Sequence, residues 1–184
     1  MAEYYFMSQL PSLDGIAENI PVPITEERFL ELCDRFLGKK MRTEIQSLTL
    51  IPPVNPETSG SALVNAWNEG ERDLRLALAS ARADKMKKSF DSQNRYLSPE
   101  LIRAARTAVE MESPMEAEQF LNNYRVAFLE TLRPMDTFSE DSVFYYALKL
   151  KLILRIRQFD TKSGEAAYKN IYNSILNGDT EATQ

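Results

Sequence analysis

The chain has 184 residues, 43% of them hydrophobic, with a formal net charge of −5, one cysteine and no histidine. That length and composition give one core-forming globular domain, or one with a small appendage, and exclude global disorder. The missing imidazole excludes a Ser-His-Asp triad, a Cys-His dyad and every histidine-ligated metal, and the acidic balance argues against a general nucleic-acid binder.

Cys33 has no partner for an intrachain disulfide and falls in a helical apolar pattern, as a small buried hydrophobe does. No charged-then-apolar leader opens the chain, and no apolar run reaches the length of a bilayer span. We therefore expect a soluble protein of a reducing cytoplasm, without direct membrane insertion, though able to dock on a membrane complex.

The segment Glu3–Leu10 is aromatic-rich and too short for periodicity to separate helix from strand. A short helix is expected there, ended by Pro11 and followed by a loop with Gly15, Pro21 and Pro23. Thr25 is an N-cap, with Glu26 and Glu27 in a first turn whose dipole favours acids. Phe29, Leu32, Cys33, Phe36 and Leu37 then recur at helical spacing, and Gly38 is expected as the C′ stop. Met41 to Leu50 predicts a second short helix, with Met41, Ile45 and Leu48 on one side. The proline-rich run Ile51–Ser61 is the best internal boundary. It divides the chain into an N-terminal helical subdomain, 1–58, a main helical domain, 59–178, and a disordered tail, 179–184.

Leu63 to about Lys88 predicts a long helix, the element around which the rest is arranged. Leu63, Trp67, Gly70, Leu74, Ala77, Leu78 and Ala81 fall within about 100° of arc, a core stripe. Gly70 costs roughly 1 kcal/mol of propensity relative to Ala, so a close-packed neighbour must offset it. Leu76, Ala79, Ala83 and Met86 form a weaker second face, and Arg75 and Arg82 stack on the flank between the two. Glu71, one turn before Arg75, is expected to pair with it at the surface. On spacing alone the two arginines read as solvated flank residues whose stems lie over the core; an acidic partner surface is the sharper alternative.

Further on, Ser98-Pro99-Glu100 and Ser113-Pro114-Met115-Glu116 both signal helix starts. Leu101, Ile102, Ala105 and Val109 face inward from the first; Ala117, Phe120, Leu121, Tyr124, Phe128 and Leu132 from the second, which Pro134 closes. Thr137-Phe-Ser-Glu140 fits a capping box for a broadly apolar helix. Leu148–Ile156 alternates Leu and Ile with Lys and Arg, so it also admits a strand. A last helix is expected near Glu165–Leu176. The whole reads as an all-α helical bundle of about six to seven helices around one long central helix.

Little chemistry is visible. Gly60 and Gly70 have no phosphate-loop context, and Glu110, Glu112, Glu116 and Glu118 read as first-turn acids and solvated surface rather than a hard-cation site. Arg82, Lys85, Lys87, Lys88, Arg95, Arg103 and Arg106 make a local basic region with three acids. Helix-end charge explains much of it, and an acidic protein partner fits better than nucleic acid because aromatic interleaving is thin. No metal, nucleotide or other cofactor is expected.

The run Glu71–Lys85, ERDLRLALASARADK, resembles the motif of the C-subunit family of V/A-type ATPases, whose eukaryotic member is the d subunit. There a helix reads acid–Leu–x–x–x–Leu–Arg–Ala–x–Lys. The opening Tyr4-Tyr5-Phe6…Leu10-Pro11 and the closing LKLILRIRQFDTKSGEAAYKNI resemble a narrower group, an uncharacterised family of small helical proteins found alongside the subunits of bacterial V-type ATPases. The resemblance implies a non-catalytic component or accessory factor of such an ATPase, linking rotor stalk and membrane ring. Stalk or ring subunits are then the partners, and Arg75, Arg82 and Lys85 the partner-binding residues. A full C-type subunit stacks three helical domains, and this chain has length for one or two such units. The alternative is a free-standing α-helical adaptor or regulator; an enzyme using carboxylates alone is a third, unattractive without histidine.

Overall fold

The computed structural model describes residues 2–15, 21–53, 59–90, 95–158, 164 and 168–173. The helices are α1 (Ala2–Gln9), α2 (Glu26–Phe36), α3 (Lys39–Ser47), α4 (Ala62–Lys85), α5 (Pro99–Glu110), α6 (Pro114–Thr131) and α7 (Glu140–Gln158). Residues 168–173 are helical too, and no strand occurs among the described residues. The fold is all-α, and both segments that admitted a strand are helical. The rest of the expected last helix, and the tail 179–184, lie outside the described residues.

Side-chain caps set most helix starts. Thr25, Ser61, Ser98 and Ser113 each accept a hydrogen bond from the backbone N–H three residues on, relieving donors that a helix cannot satisfy internally. Pro99 and Pro114 occupy first-turn positions that need no donor. Two end signals act differently from expectation. Gly38 has φ −66° and is the N-cap of α3, while the extended Leu37 ends α2. At α7 the cap is Ser139, whose Oγ accepts from Ser142 N at 3.3 Å. Thr137 is displaced from that role because the Asp136 carboxylate takes Phe138 N at 2.9 Å, closing a turn ahead of the helix.

Side-chain contacts fix the helix directions. Ser61, at the start of α4, donates to Asp141 Oδ1 at the start of α7, 2.6 Å away. Lys85, the last residue of α4, reaches Val109 near the end of α5. So α4, α5 and α7 run the same way, and α6 runs against them. Ahead of α5, Arg95 pairs with Glu69 and Asp73 of α4.

Two apolar clusters result, and α4 passes from one to the other. The first gathers Phe6, Phe29, Cys33 and Ile45 with Leu63, Trp67, Leu129 and the buried run Val143–Leu148 of α7. It therefore draws on both sides of the proline-rich break. The second packs Leu74, Ala77, Leu78 and Ala81 of α4 on Leu101, Ala105 and Ala108 of α5 and Leu121 of α6. Alanines at the α4–α5 contact let the two backbones approach closely. The expected core stripe of α4 is buried as read, Gly70 excepted, which is half-buried under Phe128. A Cβ on Gly70 would stand 2.3 Å from Phe128 Cζ, and the same ring stacks on Trp67 with centroids 6.0 Å apart.

Gly70→Ala should therefore destabilise by about 1 kcal/mol net, the overpacking cost exceeding the gain in helix propensity. Urea unfolding checks this, and adding Phe128→Ala should make the double variant less than additive. Trp67 is fully buried. Trp67→Ala should cost about 3–5 kcal/mol in the same assay, and a loss under about 1 kcal/mol would contradict its place in the core.

Candidate functional site

The arginine flank of α4 lies on the surface. Arg75 is 45% exposed, with Nε 3.6 Å from Glu71 Oε2, and Arg82 is exposed one heptad further on. Lys85 donates to the Val109 carbonyl at 2.6 Å, placing its charge at the negative end of α5. Beside it a cleft of about 480 Å³ opens between the ends of α4 and α5, lined by Ala81, Asp84, Lys85, Arg106, Val109 and Glu110. The structure thus sets Arg75 and Arg82 on one side of the helix and turns Lys85 toward the chain's own α5.

Glu71 departs from its expected place at the surface. Its side chain is 2% exposed, and its main partner is Arg125 of α6, itself 10% exposed, whose Nε donates to Oε1 at 2.7 Å. Arg125 Nη1 donates to Asn122 Oδ1 at 3.3 Å and stands 3.6 Å from Glu118 Oε1. Glu118 in turn accepts from Arg155 Nη2 of α7 at 2.6 Å. A chain of alternating charge therefore crosses α4, α6 and α7, with the exposed Arg75 at one end. Glu71 Oε2 is buried without a hydrogen-bond partner, and the Arg75 guanidinium is the charge that faces it. One sequence signal for this network exists: Glu118, Asn122, Arg125 and Leu129 follow one another at helical spacing, a polar line ending in the core. The rest of the acidic group does not gather. Glu110 lines the cleft, and among the described residues no three His, Cys, Asp or Glu side chains form a set that could hold a metal ion.

A second polar centre lies where the loop after α1 meets α7. Lys149 donates to Asp14 and, at 2.6 Å, to Glu130, and its ammonium lies 5.5 Å from the centre of the Tyr145 ring. Burial alone would lower the Lys149 pKa, but the hydrogen bonds to Asp14 and Glu130 outweigh it and hold the ammonium above its ordinary range. The hydrogen bond from Lys149 leads the lowering of Asp14. Glu130 is pushed up by burial and down by Lys149 and Tyr145, with a net fall. Tyr146 OH donates to the Pro11 carbonyl at 2.9 Å, and a cavity of about 150 Å³ lies among these groups. Burial drives the Cys33 thiol up to about 12, in keeping with a small buried hydrophobe.

Residues 96–179 match a family described as protein of unknown function (DUF2764), so this part of the chain carries the pattern of an uncharacterised family. The match spans α5, α6 and α7 and includes Glu118, Arg125, Lys149 and Arg155, whereas Glu71, Arg75, Arg82 and Lys85 precede it. No curated protein and no solved structure matches the chain. Among the described residues no helix is long and apolar enough to cross a membrane.

Arg125→Met leaves the buried Glu71 with only the longer 3.6 Å contact to Arg75 and should cost about 3–5 kcal/mol by urea unfolding. Coupling it to Glu71→Leu should recover most of that loss, because an apolar pair of similar volume replaces a buried ion pair at little cost. The Lys149 centre has a pH signature. Asp14 and Glu130 have folded pKa values below their unfolded ones, so their contribution is complete above the unfolded values and is lost as pH falls through the folded ones. The stability gap between wild type and Lys149→Met should accordingly narrow between about pH 5 and about pH 2. A gap that stays constant across that range would rule out the coupling.

Proposed function

We propose that this chain is a non-catalytic component or accessory factor of a bacterial V-type ATPase, similar to the C-type subunit, that links rotor stalk and membrane ring. The observation that carries the reading is the exposed arginine flank of α4, which lies within the stretch resembling the C-subunit motif. Half-buried Ala79 lies between Arg75 and Arg82 and admits close approach. Arginine forks pair with carboxylates in fixed geometry and are retained at interfaces more readily than other charges. An acidic or polar helix end on a stalk or ring protein fits this flank, with Lys85 at its edge as a further contact. In this role the protein works in the cytoplasm, peripheral on a membrane complex, and needs no cofactor, metal or nucleotide of its own.

Charge reversal tests it. Arg82→Glu should leave folding stability within about 0.5 kcal/mol, as expected for an exposed side chain, and weaken co-purification with the ATPase stalk. A stable variant that still binds the stalk fully would remove Arg82 from the interface. A wild-type chain that never co-purifies with the stalk would instead favour a free-standing helical adaptor.

A further inference from the structure

The end of α4 carries a feature that the arginine flank does not explain. The helix closes in a Schellman turn: Lys88 N donates to Ala83 O at 2.9 Å and Lys87 N to Asp84 O at 3.0 Å. The left-handed position of that turn, ordinarily glycine, is Lys87, with φ 54°. It is the one non-glycine residue with positive φ among the described residues. Helix-end charge alone does not call for a lysine there, since Lys85 already supplies a cation in the last turn and Lys88 another just past it. A backbone that favours glycine therefore holds an exposed ammonium.

Its surroundings are cationic and apolar together. Arg82, Lys85, Lys87 and Lys88 outnumber the acids beside them, Asp84 and the Glu110 of α5 that lines the same cleft as Lys85. Met86 and Phe90 flank the lysines and are 58% and 42% exposed. Lysines on flexible stems act as point charges and impose no fixed geometry on a partner, unlike the arginine forks of the flank. Exposed apolar side chains beside such charges can enter the boundary between headgroups and acyl chains. Nucleic acid fits less well, because Phe90 is the one aromatic side chain between positions 82 and 90 and base stacking draws on several.

We propose that the α4 tip, with Lys87 and Lys88 as charges and Met86 and Phe90 as shallow insertions, is a docking surface for an anionic lipid bilayer. Contact is peripheral and reversible, and it is independent of any protein bound along the Arg75/Arg82 flank. The strained backbone at Lys87 is then the cost of pointing one more charge at the headgroups.

Co-sedimentation of the full chain with vesicles tests this. Phosphatidylcholine vesicles containing about a third phosphatidylglycerol should retain the protein at low ionic strength and release it at high salt, and pure phosphatidylcholine should not retain it. Lys87→Gly and Lys88→Ala should each weaken retention about fivefold. Met86→Ser with Phe90→Ser should weaken it by about tenfold or more while leaving the salt dependence unchanged. Lys87→Gly is the decisive variant, because it should also raise the melting temperature by relieving the left-handed backbone, so loss of binding cannot be loss of fold. No retention on anionic vesicles, equal retention on neutral ones, or a Lys87→Gly protein that binds like wild type would each overturn the proposal. Retention on immobilised poly-glutamate without vesicle binding would assign the tip to an acidic protein and overturn it as well.

Discussion

The ion pair between Glu71 and Arg125 is the constraint on which the arrangement of the bundle turns. It lies midway along α4, where the apolar cluster shared with α1, α2 and α7 gives way to the one shared with α5. Burying two charges is unfavourable unless each finds a partner in good geometry. That requirement constrains the register of α6 against α4: Arg125 must reach Glu71, and Phe128, nearly one turn on, then lies over Gly70. An apolar contact alone would tolerate several sliding registers. Asn122 and Glu118 hold the remaining guanidinium face, and through Arg155 the same network sets α7. Charge thus specifies the alignment of three helices, while apolar burial supplies most of the driving force.

This arrangement bears on the flank proposed for partners. Arg75 is the exposed end of a network whose interior is buried, and the Glu71 oxygen nearest to it has no hydrogen bond of its own. A carboxylate brought to Arg75 would compete with Glu71 for the same guanidinium. Arg82, one heptad on, stands clear of that competition, so the two arginines are unequal as contacts although they share a side of the helix.

Much of the fold is legible in the sequence because its signals are local. The caps Thr25, Ser98 and Ser113, two first-turn prolines and the apolar stripe of α4 each depend on residues within a few turns, and the structure follows them, whereas the Ser61 cap of α4 is seen only in the structure. Gly70 is legible too, as a gap that a neighbour must fill, although spacing does not name Phe128. The functional groups are harder to read because their partners are distant. Glu71 looks like half of a surface pair with Arg75, since its stronger partner is 54 residues away. Lys149 looks like punctuation in an apolar run, since Asp14 lies 135 residues before it. Gly38 and Lys87 show the same limit at helix ends: the glycine sits in an ordinary conformation and the lysine takes the left-handed one, a choice that residue type alone assigns the other way round.

The placement of α1 and α2 has a consequence for how the chain is made. Phe29 stacks on Tyr146, Pro11 accepts from the Tyr146 hydroxyl and Glu26 pairs with Lys151 of the same helix. A nascent chain leaving the ribosome exposes these apolar faces of α1 and α2 well before their docking helix, α7, has been made. The second cluster, by contrast, can close as soon as α6 emerges, since α4, α5 and α6 are consecutive. Assembly during translation would then begin with α4, α5 and α6 and dock α1 and α2 afterwards, onto a scaffold made after them. In the interval Phe6 and Phe29, whose ring centroids lie 5.9 Å apart, lack the part of their cover that α7 supplies, so apolar surface stays exposed until that helix is made.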